Sequence, residues 1–125
     1  MKWLFQSIRL LTGFSENLTE VKSHKVSRYK AIRVEESPEH FEIGCMYLHE
    51  NRGRPLVLEF ICPCGCGDKI ELSLIAWTDP SWRIEGDFEF PSIYPSVRRV
   101  VGCRSHFWVK DGKVYHARDI HYFRN

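Results

Sequence analysis

The stretch Cys62-Pro63-Cys64-Gly65-Cys66-Gly67 places three thiols within five residues, and a fourth cysteine, Cys103, follows later in the chain. Three cysteines separated only by proline and glycine are poorly suited to a purely hydrophobic role. Four thiolates are a ligand set that Zn²⁺ prefers in structural sites, and they leave no coordination position for water. We therefore predict a structural zinc ion bound by the following four residues: Cys62, Cys64, Cys66 and Cys103.

The chain has five cysteines, so Cys45 stays outside this set. It lies in an apolar run, which predicts a buried free thiol. Disulfides among Cys62, Cys64 and Cys66 would close very small, strained rings. The cysteine pattern therefore favours a reducing compartment, and we predict a cytoplasmic protein.

Length and composition predict a single globular domain. The 125 residues are 43% hydrophobic and 14% aromatic, with a formal net charge of +2. Such a chain can bury a core of its own. The near-neutral charge does not favour nucleic acid or an acidic membrane as a partner. The paired CxxC spacing of nucleic-acid zinc fingers is also absent, so we expect no nucleic-acid binding.

The beginning of the chain has a different character. Leu4, Ile8 and Leu11 recur at helical spacing, which predicts an amphipathic helix over residues 2–12. A polar stretch follows, so residues 1–28 are predicted to form a helix and a polar arm. The helix is too short to span a bilayer, and no cleavage site marks a signal peptide. We expect it to pack on the domain, with docking to a partner or a membrane surface as the alternative.

Residues 29–125 are predicted to form one zinc-stabilised domain that is mainly β and mostly antiparallel, an α+β protein if the N-terminal helix is counted. Asp111-Gly112 between two short apolar runs is a strong signal for a two-residue hairpin. The predicted strands are Tyr29 to Val34, Cys45 to Leu48, Leu56 to Ile61, Lys69 to Leu74, Trp82 to Phe90 with an interruption at Gly86-Asp87, Phe107 to Lys110 and Lys113 to His116.

A histidine close to the last cysteine is the main candidate for catalysis. His106 follows Cys103 by three residues, so a metal ion would fix its position. In an extended segment its ring points away from Ser105. A serine that it activates should therefore come from elsewhere, and Ser92 and Ser96 in the preceding Pro-Ser segment are candidates. From residue types alone, the favoured interpretation is not catalytic: Ser92 and Ser96 would be exposed loop serines, and His106 would have a structural role.

Several blocks together resemble a small bacterial protein family that includes the BubE type. The blocks are Phe41 to Leu48, CPCGCGDKIELSL from Cys62, Pro95-Ser96-Val97, and GCRSHFWVKDGKVY from Gly102. They are similar to the CxCGCG run, the PS[VI] step and the CRSH[FY] block of that family. Its members are encoded beside ubiquitin-like proteins and E1-like and E2-like enzymes in bacterial ubiquitination-like operons. The resemblance covers roughly residues 29–117.

The resemblance implies a serine peptidase or esterase that processes or removes the ubiquitin-like protein through an acyl-enzyme. Ser96 would be the nucleophile, His106 the general base and Glu35 the carboxylate that orients the histidine. The expected partners are the C-terminal tail of the ubiquitin-like protein or its conjugates, together with the E1-like and E2-like operon proteins. Triad chemistry requires only that some group accepts a hydrogen bond from the ring nitrogen of His106 that does not face the serine. That acceptor could also be one of the following: Glu36, Asp111 or Asp119.

Two other classes of function stay open. A non-catalytic zinc module would bind a ubiquitin-like protein or an E2-like partner without turnover. A zinc hydrolase would need an open coordination position, which is available only if three cysteines bind the metal.

Overall fold

The computed structural model describes residues 25–117, which form eight β-strands and no α-helix. The strands are β1 (Lys30–Val34), β2 (Cys45–Asn51), β3 (Arg54–Ile61), β4 (Lys69–Ser73), β5 (Arg83–Glu85), β6 (Ser92–Arg98), β7 (His106–Lys110) and β8 (Lys113–His116). They make two four-stranded sheets with the orders β1-β2-β3-β4 and β5-β6-β7-β8. The helix predicted over residues 2–12 lies outside the described residues. Within them, no helix has the length and hydropathy needed to cross a membrane.

The predicted mainly β fold is confirmed for this part of the chain. β1 runs parallel to β2, with Lys30 opposite Cys45 and Val34 opposite His49. The other strand pairs are antiparallel. Cys45, predicted to be buried, is a half-buried free thiol because β2 begins at this residue, at the margin of the sheet.

The Pro-Ser segment differs most from the sequence prediction. A turn is predicted at Pro95-Ser96, whereas Ser92–Arg98 form β6. Proline is tolerated in a sheet at a bulge, because its missing N–H then costs no ladder bond. The register of β6 against β7 shifts between Ile93 and Val97, so Pro95 lies at such an irregularity. In the region predicted as a strand from Trp82 to Phe90, only Arg83–Glu85 form one, β5, which ends directly before the predicted interruption at Gly86-Asp87.

The predicted hairpin at Asp111-Gly112 is confirmed and joins β7 to β8. Asp111 has a φ of 51° and Gly112 a φ of 80°, and a two-residue type I′ turn requires positive φ at both positions. A Cβ atom on Gly112 would lie 2.7 Å from the carbonyl oxygen of Tyr29. Only glycine fits at this position without displacing the backbone beside it.

The two sheets share one hydrophobic core. Tyr29, Phe60 of β3 and Phe107 of β7 are fully buried. The rings of Phe60 and Phe107 meet edge to face across the sheets, with centroids 6.3 Å apart. Burying a side chain of this size contributes about 1.5–3 kcal/mol. Phe60 lies two residues before Cys62 and Phe107 follows His106, so the same packing positions the cysteine loop and the histidine.

The segment that precedes β1 is also part of the folded unit. Val26 is buried, and its N–H donates to the carbonyl of Pro63 at 3.0 Å. The N–H of Val114 donates to the carbonyl of Ser27, also at 3.0 Å. Residues 25–28 therefore join the cysteine loop to β8, while the division of the chain after residue 28 stays a prediction.

Candidate active site and metal centre

The four predicted metal ligands lie together. Their Sγ atoms are all within 4.8 Å of one another. Cys62 Sγ is 3.6 Å from Cys64 Sγ and 3.7 Å from Cys103 Sγ. Tetrahedral zinc with Zn–S bonds of about 2.3 Å requires sulfur separations of about 3.8 Å, far longer than a disulfide bond of about 2.05 Å. The donor set therefore fits a four-thiolate metal ion.

Backbone geometry brings these cysteines from two distant loops. The N–H of Cys62 donates to the carbonyl of Asp68 at 2.8 Å, which closes the loop between β3 and β4. Gly65 and Gly67 have φ values of 95° and 88°, a conformation that glycine adopts without steric cost. Cys103 comes from the loop between β6 and β7, so a bound metal would connect the two sheets.

Two polar side chains contact the sulfur of Cys103. Ser105 Oγ lies 3.1 Å from it, and Arg99 Nη1 donates to it at 3.3 Å. The same Arg99 nitrogen is 3.2 Å from Asp68 Oδ2. Burial raises the pKa of the Cys103 thiol, but hydrogen bonds from Ser105 and from neighbouring thiols outweigh this effect and lower it to about 6. The surroundings of Cys103 therefore favour its thiolate, the form that binds metal, whereas burial raises the pKa of the Cys62 and Cys66 thiols.

Of the three serines considered, two have structural contacts. Ser105 Oγ faces the sulfurs, within 3.7 Å of Cys62 Sγ as well as close to Cys103. Ser92 is buried, and its Oγ accepts a hydrogen bond from the N–H of Asp111 at 2.9 Å. This bond ties β6 to the turn between β7 and β8. Within residues 25–117, neither hydroxyl contacts His106.

Ser96 lies against the histidine. Its Oγ is 2.8 Å from His106 Nε2, a hydrogen-bond distance at which an unprotonated ring nitrogen can accept the hydroxyl proton. Ser96 is on β6, and His106 is the first residue of the neighbouring β7, where it lies opposite Arg98. The structure therefore brings these two predicted residues together on one face of the second sheet.

Among the described residues, the ring of His106 lies between Trp108 and a cleft. Its ring packs on the ring of Trp108, with centroids 4.9 Å apart and planes tilted by 32°. Beyond the ring is a cleft of about 820 Å³, whose lining includes Arg98, Arg104 and Ala117. The described part of the lining carries several cationic side chains and no carboxylate.

Trp82 is a residue of the site that sequence reasoning missed. Its indole N–H donates to the carbonyl oxygen of Ser96 at 3.1 Å. Its main-chain N–H donates to the carbonyl of Ser73, the last residue of β4, at 2.8 Å. Trp82 thus connects the first sheet to the backbone of the serine. A tryptophan in a turn-rich segment carries no local pattern that would reveal this contact.

The structure does not bring Glu35 to the histidine. Glu35 follows β1, is exposed and borders a shallow groove on the first sheet. Within residues 25–117, no hydrogen bond or ion pair joins Glu35 or Glu36 to His106. Asp111 lies beyond the far end of β7, about 13 Å or more from His106 at the rise of an extended strand. Asp119 lies outside the described residues.

A second serine and histidine approach each other in the first sheet. Ser37 Oγ is 3.4 Å from His49 Nε2, and each of these atoms is 2.7 Å from Glu59 Oε1. In a catalytic triad the serine and the carboxylate contact different ring nitrogens. Here Nε2 faces the carboxylate and donates its hydrogen there, so it cannot also accept the Ser37 proton. This group therefore binds a buried carboxylate and does not activate a serine.

Glu59 itself is 3% exposed, and Lys69 Nζ lies 3.4 Å from its Oε2. Burial raises the pKa of Glu59, but hydrogen bonds from Ser37 and His49, with the charge of Lys69, lower it to about 2. The carboxylate is therefore ionised at neutral pH. The sequence placed Glu59 in an apolar strand and showed no sign of this cluster.

Fold and site together define a small two-sheet β protein in which four cysteines that could hold a metal ion adjoin a serine–histidine pair. Residues 33–117 match the family described as bacterial ubiquitination-like system serine protease (BubE), and the chain belongs to this family. The resemblance predicted from the sequence is confirmed. The matched region contains Ser96, His106 and the four cysteines predicted to bind the metal. No curated protein and no solved structure gives a significant match.

Proposed function

We propose that this protein is a serine hydrolase that processes or deconjugates a bacterial ubiquitin-like protein at its C-terminus. The observation that carries the proposal is the 2.8 Å contact between Ser96 Oγ and His106 Nε2. The family description, a serine protease of a bacterial ubiquitination-like system, supports both the chemistry and the kind of partner. The bond cleaved is an amide or ester at the end of the ubiquitin-like tail.

The reaction proceeds by acyl transfer. Ser96 Oγ attacks the tail carbonyl carbon while His106 Nε2 takes the hydroxyl proton. The tetrahedral adduct collapses, the bond to the leaving amine or alcohol breaks, and His106 gives that group the proton. The tail is then esterified to Ser96. Water attacks this ester, His106 takes a proton from the water and returns it to Ser96 Oγ, and the tail leaves as a carboxylate.

In this proposal the four cysteines hold zinc in a structural role. The metal supplies a strong connection between the loop that follows β3 and the loop that precedes β7. Because Cys103 lies three residues before His106, its coordination fixes the start of β7. Arg99, which contacts the Cys103 sulfur and follows β6 directly, offsets part of the negative charge of four thiolates.

For the carboxylate that orients His106, Asp119 is better supported than Glu35. Ala117 borders the same cleft as His106, and Asp119 follows Ala117 by two residues in the sequence. Glu35 has no contact with His106 among the described residues.

The test is labelling of the zinc-loaded protein with a fluorophosphonate, followed by mass spectrometry of the modified peptide. We expect modification of Ser96, and loss of labelling in Ser96→Ala and in His106→Ala. Ser81→Ala is the matched control, because Ser81 directly precedes Trp82 in the sequence and its side chain makes no hydrogen bond within residues 25–117. Circular dichroism and zinc content should be unchanged in all three variants.

Three outcomes would contradict the proposal. Labelling at Ser92 or Ser105 would assign the nucleophile to another serine. No labelling, together with tight binding of a ubiquitin-like protein and no turnover, would favour the non-catalytic zinc module. X-ray absorption that counts three sulfur ligands instead of four would favour the zinc hydrolase.

A further inference from the structure

β6 has an open edge beside the serine–histidine pair. β5 pairs with β6 only over Ser92–Tyr94, whereas β6 continues to Arg98. The chain that leads into β5 turns away from β6, since the main-chain N–H of Trp82 donates to Ser73 of β4. Among the described residues, no strand pairs with residues 95–98 on the β5 side. The unpaired part of β6 contains Ser96.

The hydrogen-bond pattern shows which backbone groups face this edge. Arg98 lies opposite His106, and the N–H of Arg99 donates to the carbonyl of Ser105 at 2.8 Å. In an antiparallel ladder, a bond of this kind lies next to a non-hydrogen-bonded pair. The N–H and C=O of each residue in that pair point away from the partner strand. The N–H and C=O of Arg98 therefore face the open edge. Ser96 faces the same way, because its carbonyl accepts the Trp82 indole on that side.

We infer that the open edge formed by residues 96–98, termed the β6 edge, binds the extended C-terminal tail of the ubiquitin-like substrate as an added strand. The inference rests on the proposed function, because the tail carbonyl must reach Ser96 Oγ. An added strand lies about 4.8 Å from its neighbour. The tail would exchange two backbone hydrogen bonds with Arg98, the mode by which extended peptides pair with exposed sheet edges.

The direction of the tail follows from the position of Trp82. Its indole N–H donates to the carbonyl of Ser96, so the Ser96 end of the β6 edge is occupied while the Arg98 end stays open. The tail enters at Arg98 and ends at Ser96. Since the globular part of a ubiquitin-like protein precedes its tail, the tail runs antiparallel to β6. In an extended residue the N–H and C=O point to the same side, so we expect the Ser96 N–H to face the tail and to donate to the oxyanion that forms on the scissile carbonyl.

Backbone pairing predicts that a single tail N–H is essential. The probe is a library of fluorogenic coumarin amides of five-residue peptides, with glycine at the last two positions and the other three randomised. The sequence cleaved fastest by the zinc-loaded enzyme is remade with an N-methyl group at each position in turn. One N-methyl peptide should lose about tenfold in kcat/KM, because it loses the hydrogen bond to the carbonyl of Arg98.

Enzyme variants locate the pairing at the β6 edge. Arg98→Ala removes the side chain and keeps the N–H, whereas Arg98→Pro also removes the N–H. We expect Arg98→Pro to cleave the best peptide about tenfold less efficiently than Arg98→Ala does. The control for proline at an outward-facing edge position is Glu71→Pro compared with Glu71→Ala, because Glu71 lies on β4 two residues before the outward-facing carbonyl of Ser73 and its side chain also hydrogen-bonds Glu59. These two variants should have equal kcat/KM.

Failure of this inference is distinguishable from failure of the proposed function. If fluorophosphonate does not modify Ser96, the proposed function fails first. If Ser96 reacts but no library member is cleaved, the β6 edge does not bind extended tails. If peptides are cleaved, uniform tolerance of N-methyl groups or equal kcat/KM for Arg98→Ala and Arg98→Pro would overturn the inference. Should Arg98→Pro not fold, the N-methyl series on the wild type still decides.

Discussion

Replacement of Glu59 by glutamine should destabilise the protein in a pH-dependent way. Glu59 is buried, and its interactions lower its pKa from an ordinary 4.5 to about 2. That difference corresponds to about 3 kcal/mol of folding free energy at neutral pH. We therefore expect Glu59→Gln to lower the free energy of unfolding by about 3 kcal/mol at pH 7, because His49 and Lys69 also lose their charged partner.

The sign of the pH dependence follows from the depressed pKa. The contribution of the Glu59 carboxylate is complete above pH 4.5 and is lost as pH falls from 4.5 towards 2. The wild type should lose about 0.8 kcal/mol of this contribution by pH 4 and about 2 kcal/mol by pH 3. The difference between wild type and Glu59→Gln should shrink accordingly.

Urea denaturation of both proteins between pH 7 and pH 3 measures this difference, in which effects common to both proteins, such as metal loss in acid, cancel. Glu85→Gln is the control, because Glu85 is an exposed carboxylate paired with Arg83 and its loss should cost less than about 1 kcal/mol. A pH-independent difference between wild type and Glu59→Gln would refute the reasoning. So would a carboxyl titration of Glu59 by NMR with a midpoint at 4.5 or above.

Three further predictions concern the site. Cys103→Ala should lose bound zinc and more than about 4 kcal/mol of unfolding free energy, measured by metal analysis and thermal melting; a stable, metal-loaded variant would contradict the structural role. Asp119→Asn should lower kcat by about 10³–10⁴-fold while Glu35→Gln leaves it unchanged, and the opposite result would restore Glu35 as the orienting carboxylate. Trp82→Phe should lower kcat about tenfold with KM unchanged, because the ring remains but the bond to Ser96 is lost. Trp77→Phe, at a residue 84% exposed, is its control, and equal effects of the two would argue against positioning by Trp82.

The metal ligands were accessible to sequence reasoning because their signal is local and chemical. A Cys-x-Cys-x-Cys run with glycines is typical of a metal-binding loop, and one distant cysteine completes the set. The hairpin at Asp111-Gly112 was predicted for a similar reason, since positive φ at both positions restricts the residue types. In these two places the residue types alone limit the backbone and its ligands.

The strand conformation at Pro95 could not be predicted from the local sequence. A proline breaks a strand only if its missing N–H would have faced a neighbouring strand. Its position in the register depends on the bulge opposite β7, which is a property of two strands and not of one segment. The same register decides that Ser96 faces His106 while Ser92 supports a turn.

The sequence by itself determined the four-cysteine set, the hairpin, the mainly β class and, through resemblance, the family. Tertiary structure decided that Ser96 contacts His106 and that Glu35 does not. It also decided that the contact of Ser37 with His49 serves the buried Glu59, and that within residues 25–117 no strand pairs with β6 beside Ser96 on the β5 side. The physical reason is the sequence separation of the interacting residues. Turns and the cysteine run restrict residues that are close in sequence, whereas hydrogen-bond partners on different strands depend on strand register.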